Sequence, residues 1–246
     1  MPLRQQTSRR VGILDMLLLV SDLHGNSIYL SRALLAAPAP FVGLGKAIDE
    51  VVPTTGPGTL VIQLGDHSFG PEVATHHYHE PWDPGVPVHL MRGNHDYEPV
   101  LQGHSHPVAL YPHLYFLPDA TVIEHEGRRI GIIGGADSVI DASYRKAGID
   151  WWPSEAVSQK AIDTLVASGP LDLLLTHTAP ASLIRRHCGY EPSLSEERLE
   201  DMWVTLGHPP LFCGHIHDSH EHLGATVLPF GGATLVDLSD FTHTPV

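Results

Sequence analysis

The chain has 246 residues, 42% hydrophobic and 17% charged, which suits a globular core rather than a disordered or fibrous chain. A formal net charge of −14 argues against a general binder of nucleic acid or of an anionic membrane, since both need basic patches. An anionic substrate stays compatible, because a bound metal pair reverses the field locally.

Two cysteines, Cys188 and Cys213, form neither a CxxC nor a disulfide framework, so a reducing, cytoplasmic setting is expected. No apolar run reaches roughly 18 residues, so no membrane span is expected. The opening stretch MPLRQQTSRRVGILDMLLLV joins basic residues to an apolar run that Asp15 interrupts, and no small-residue cleavage site precedes SDLHGN. Residues 1–15 are expected to be a polar tail before a single domain over 16–246.

In chain order, MLLLVSD (16–22) predicts a buried strand, followed by an amphipathic helix near 26–37. TLVIQLGD (59–66) and VPVHLMRGN (86–94) predict two more strands, separated by a long loop at 67–86 rich in Pro, Gly and His. Residues 114–135 read as a strand series turning at Glu126-Gly127. A helix is expected over 153–168, a strand over 171–177, a helix over 195–206 and a strand over 210–217. ATVLPFGGATLVDL (225–238) reads as a closing hairpin. Nearly uniform apolar strands alternating with helices predict an α/β protein with mixed sheets covered on both faces.

Polar clusters end five of these runs: SDLHGN (Asp22, His24), LGD (Asp66), RGNHD (Asn94, His95, Asp96), LTH (His177) and CGHIH (His215, His217). Ligands in α/β folds bind beyond the carboxyl ends of strands, so these loops can converge. In an extended backbone His215 and His217 would point the same way. Carboxylate, amide oxygen and imidazole together suit borderline divalent ions such as Mn, Fe, Zn or Co, rather than a sulfur site or a calcium cage. Seven such ligands are too many for one tetrahedral zinc and fit two ions sharing a carboxylate. Taken singly, Asp22 or Asp66 could be a helix N-cap, GNHD a turn, and His177 a structural histidine. The remaining histidines of the nineteen, including HHYH (76–79) and HSH (104–106), read as solvated loop residues.

The order D-x-H, GD, GNHD, a lone H and GH-x-H resembles the calcineurin-like metallophosphoesterases, over about residues 16 to 240. GIIGGADSVIDASYRKAGIDWWPSE is similar to a stretch of small bacterial and phage members. The resemblance implies two packed mixed β-sheets flanked by helices, an α/β/β/α sandwich with a metal pair at one edge. It implies Asp22, His24, Asp66 and His217 on one ion and Asp66, Asn94, His177 and His215 on the other, with Asp66 bridging. It implies a general-acid role for His95 and an orienting role for Asp96. The ions are expected to be Mn, with Fe, Zn, Co or Ni as alternatives, and the substrate a small phosphomonoester or phosphodiester, nucleotides included.

The chemistry of such residues agrees. Two ions about 3.5–4 Å apart can hold a bridging hydroxide and clamp an in-line displacement at phosphorus. A protonated His95 would supply the leaving alkoxide with a proton, worth roughly 10²–10⁴ in rate. The protein-phosphatase stretch GD-x-x-DRGP is replaced by GDHSFGPE, which counts against that branch. Arg92 resembles a phosphate-binding arginine but could equally be structural, and His67 could contact substrate or support the ligands from behind. A nuclease of the same fold and a non-catalytic binding protein are the competing readings.

Overall fold

A computed structural model describes residues 16–48, 51–70, 79–139 and 143–246. The tail expected at 1–15 and residues 71–78 of the long loop, with His76 and His77, lie outside the described residues.

The chain runs through β1 (Met16–Val20), α1 (Ser27–Ala36), β2 (Phe41–Val42), β3 (Val51–Pro53), β4 (Thr59–Gln63) and β5 (Val88–Met91). Next come α2 (Glu98–Leu101), β6 (Val108–Tyr111), β7 (Leu114–Leu117), β8 (Val122–His125) and β9 (Arg128–Ile133). After a short 3₁₀ turn at Pro153–Glu155 follow α3 (Gln159–Ala167), β10 (Leu173–Thr176), α4 (Ala181–His187), α5 (Leu194–Thr205) and β11 (Leu211–Cys213). The chain closes with β12 (His220–His222), β13 (Ala225–Val227), β14 (Ala233–Asp237) and β15 (His243–Pro245).

These strands form two mixed sheets. One has the order β15-β14-β1-β4-β5-β7-β6, with β2 also on β4; the other runs β12-β13-β11-β10-β9-β8-β3. Alternation along the strands makes the layers. Leu17 and Leu19 of β1 join Leu60, Ile62, Ile132, Leu173 and Leu175 between the sheets. Leu18 and Val20 face the other way, onto Leu30 and Ala33 of α1. On the opposite outer face Leu174 and Leu211 meet Ile162, Leu183, Leu199 and Trp203 from α3, α4 and α5. The leucines of β1 are fully buried, each worth roughly 1.5–3 kcal/mol of apolar transfer. The result is the expected sandwich of two sheets between helices.

Three local expectations change. The predicted hairpin at 225–238 does not form: β13 pairs with β11 and β12 in one sheet, and β14 pairs antiparallel with β1 in the other. Pro229 and the Gly231-Gly232 pair carry the chain across, with Ser21 N donating to Gly232 O at 2.8 Å. The helix expected at 153–168 begins only at Gln159, where Ser158 caps it by accepting from Ala161 N. His215 and His217 do not sit in extended backbone; β11 ends at Cys213, and their φ angles are 67° and 62°.

Candidate metal centre

The five polar clusters follow the ends of β1, β4, β5, β10 and β11. The backbone then reverses sharply. His24, Asp66, His215 and His217 all have positive φ, a left-handed conformation that His and Asp tolerate better than most residues and that recurs at functional sites. Neither Asp22 nor Asp66 caps a helix; Asn26 caps α1. The loops interlock through Leu23 N and His24 N, which both donate to Asp66 O. Gly93 is needed for close approach, since a Cβ there would lie 2.1 Å from Asp66 Oδ1 and 2.3 Å from its backbone N.

Ligand atoms gather in two groups, Asp22-His24-Asp66-His217 and Asp66-His177-His215, each with its atoms within 4.8 Å of one another. Asp66 belongs to both. Its Oδ2 lies 3.6 Å from His24 Nε2, and its Oδ1 lies 3.4 Å from His177 Nε2. His24 Nε2 and His217 Nε2 are 3.4 Å apart, and His217 Nε2 is 3.7 Å from Asp22 Oδ1. Asn94 stands beside the second group, with its Oδ1 3.1 Å from His177 Nε2.

The donor set fits a cation. His177 Nδ1 stands 2.7 Å from Leu64 O, so Nδ1 carries a hydrogen there and Nε2, facing the oxygens of Asn94 and Asp66, is the nitrogen that can exchange its proton for an ion. Among the described residues, Asp66 Oδ2 is buried without a hydrogen-bond partner. A buried carboxylate oxygen left unpaired is costly, and a positive ion relieves that cost.

The titration behaviour expresses the same crowding. Burial alone would raise the Asp66 carboxyl, but His177, His95 and His24 hold it well below its usual range. Asp22 is likewise lowered, as His217, His177 and Ser21 outweigh burial. His177 is lifted to about 9 against the effect of burial, chiefly by the charge of Asp66. Burial and the neighbouring His177 push His215 down to about 4. Burial also lowers His24, partly opposed by Asp66.

His95 is half-buried in this group, its N donating to Asp66 Oδ1 at 2.8 Å and its ring edge-on to His24 at 5.2 Å. Asp96 is held by backbone amides. Its carboxylate accepts from Asp66 N, Ser68 N and Gly93 N, at 3.0, 2.8 and 2.7 Å. It therefore pins the two metal-side loops together, and its nearest imidazole is His67, at 3.2 Å.

For Arg92 and His67 the contacts favour the structural alternatives. Arg92 is only 6% exposed, and its guanidinium donates to Ser154 O, Glu155 O, Asp119 Oδ2 and Gly134 O. It faces a separate cavity of about 570 Å³ lined also by His104, Thr121 and Lys160, with none of the candidate ligands. His67 is fully buried, and its Nδ1 accepts from Phe69 N at 3.0 Å.

The structure adds residues that the sequence did not single out. Asn94 Nδ2 donates to Ser138 Oγ at 3.0 Å, which turns Oδ1 toward His177. Ser138 donates to Glu155 Oε2 at 2.6 Å, and Arg145 braces Ser138 Oγ, Asn94 O and both Glu155 oxygens. All three lie inside the stretch that resembled the small members, and that was the available signal. Phe230, 40% exposed, stacks on His24 at 5.4 Å and meets His217 edge-on at 5.1 Å.

Comparisons with known proteins agree with this geometry. The family model described as calcineurin-like phosphoesterase matches residues 16–219. One crystal structure, 11% identical, superposes with a TM-score of 0.55 over 95% of this chain and 99% of its own. That of TT1561 of Thermus thermophilus, 14% identical, gives 0.51 over 95% and 98%. At such identities the likeness concerns the fold alone, and no curated protein matches the sequence significantly. Because the family match spans most of the chain and includes every strand-end cluster from Asp22 to His217, the protein belongs to the calcineurin-like phosphoesterases and is a metal-dependent phosphoric ester hydrolase.

Proposed function

We propose that this chain hydrolyses a small phosphomonoester or phosphodiester, nucleotides among them, using two divalent ions, with manganese the expected pair. The supporting observation is the position of Asp66, which is shared by both ligand groups and buries an oxygen that has no hydrogen-bond partner among the described residues. Asp22, His24, Asp66 and His217 would hold one ion; Asp66, Asn94, His177 and His215 would hold the other. When bound, such ions supply Lewis acidity to phosphate oxygens and a water acidified toward neutral pH.

The chain's own groups do the rest. His95 stands beside Asp66 without belonging to either ligand group, so its ring can protonate a leaving alkoxide. Asp96 acts at a distance from substrate by fixing the backbone of Asp66 and Ser68. Phe230 offers an exposed apolar ring beside His24 and His217, suited to a flat leaving group such as a nucleoside. The free thiols of Cys188 and Cys213 suit the reducing cytoplasm.

The test is a screen of phosphomonoesters, phosphodiesters and cyclic nucleotides with Mn²⁺, alongside elemental analysis of the wild type and Asp66→Asn. The expected outcome is turnover by the wild type and depletion of both ions in the variant. Two ions retained by Asp66→Asn would overturn the bridging assignment. No turnover of any ester with Mn²⁺, Fe²⁺, Zn²⁺, Co²⁺ or Ni²⁺ would overturn the catalytic reading.

A further inference from the structure

A second collection of imidazoles lies outside the site described above. His187 ends α4, while His220 and His222 stand at alternate positions of β12. In the β12–β13 ladder His220 faces Val227 and His222 faces Ala225. Val227 and Ala225 belong to the core beneath α3, α4 and α5, so both histidines project to the side where α4 lies. Glu221 points the opposite way, toward His243 at 3.2 Å. The His187 ring lies 4.9 Å from that of His220 and 5.8 Å from that of His222. His220 Nε2 is 3.6 Å from Asp218 Oδ2.

We propose that His187, His220 and His222, with Asp218 as an oxygen donor, form a separate surface site for a divalent transition-metal ion such as Zn²⁺. Zinc binds imidazole nitrogen at about 2.0–2.1 Å in tetrahedral geometry, which puts two ligand ring centres about 5.2 Å apart. The two separations from His187 bracket that value. His187 and His220 are stacked, with 20° between their planes, so His187 must turn about its side-chain torsions to aim a nitrogen at the common point. Its exposed position allows this, while the strand sets the backbone that carries the other two rings. Three imidazoles and one carboxylate favour Zn²⁺, Ni²⁺ or Cu²⁺ over the oxygen-seeking Mg²⁺ and Ca²⁺. Arg186 is the opposing charge nearby; Arg185 is already paired with Glu197.

An ion here would join segments that matter elsewhere. The loop carrying His215 and His217 runs directly into β12, and α4 follows the loop that starts at His177. Clamping the end of α4 to β12 would therefore tie two arms of the metal centre from outside.

The test uses the full-length protein, equilibrated with Zn²⁺ and freed of loosely held metal. Elemental analysis should give one equivalent less zinc for His187→Ala and for His222→Gln than for the wild type. The same one-equivalent difference should appear when each change is made in the Asp66→Asn background, which separates this site from the proposed phosphoesterase centre. With Co²⁺, the wild type should show visible tetrahedral absorption that both variants lose in part. Equal stoichiometry in wild type and both variants, at unchanged far-ultraviolet circular dichroism, would overturn the proposal.

Discussion

Replacing Arg145 by methionine should destabilise the protein in a way that grows with pH. Glu155 is 2% exposed, and burial lifts its carboxyl from 4.5 to about 7 despite Ser138 and Arg145. Between those values the folded chain binds more protons than the unfolded chain, so the stability this group contributes is complete below pH 4.5 and falls as pH rises. At 1.36 kcal/mol per unit the fall amounts to about 3 kcal/mol, and in the wild type it ends near pH 7, where Glu155 ionises in both states. Arg145 Nη2 lies 2.7 Å from Glu155 Oε1 and makes that ionisation tolerable. Without it the carboxyl rises further and keeps its proton, so stability should go on falling by about 1.4 kcal/mol per pH unit above 7. A roughly constant loss of about 1–3 kcal/mol adds to this, because Asn94 O and Asp150 O lose their donor. Urea unfolding in EDTA at pH 6, 7, 8 and 9 measures the gap, with Glu155→Gln as the control that removes its slope. A gap between wild type and Arg145→Met that stays constant from pH 6 to 9 would refute the reasoning.

Three further outcomes are expected. His95→Ala should keep its metals yet lose roughly 10²–10⁴ in kcat on esters with alkoxide leaving groups, and less than about tenfold on nitrophenyl esters; equal losses on both would remove the acid role. Gly93→Ala drives a methyl group to 2.1 Å from Asp66 Oδ1, so unfolding measurements should show a cost of about 1–3 kcal/mol and elemental analysis a lower metal content; unchanged metal content would contradict the close approach. His89 is fully buried and lowered to about 4 by that burial, while its Nδ1 hydrogen bonds Val61 O at 2.9 Å. The folded chain resists protonating it, so stability is lost as pH falls from 6.5 toward 4, and His89→Asn, which keeps a donor, should shrink that acid loss by about 3 kcal/mol in urea titrations.

The strand-end clusters were legible because their residues contradict their surroundings. A carboxylate or imidazole straight after a run as apolar as MLLLV or LLLT has no reason to be buried unless something compensates it. The supports were harder to read. Ser138, Arg145 and Glu155 look like ordinary polar residues, and their value comes from Ser138 and Arg145 meeting Asn94 across 44 and 51 positions of chain, with Glu155 holding both, which no local pattern encodes. Arg92 is the converse case: its place beside GNHD left a phosphate-binding and a structural role equally open, and its side chain turns toward Asp119 and Ser154. The crossing at 228–232 was invisible for a related reason. Two apolar strands joined by PFGG satisfy a hairpin and a change of sheet equally well, and the choice falls to the pairing that β1 offers β14 from more than 200 residues earlier. That crossing also delivers Phe230 against His24 and His217, so the aromatic rim of the candidate site depends on a piece of topology that periodicity could not decide.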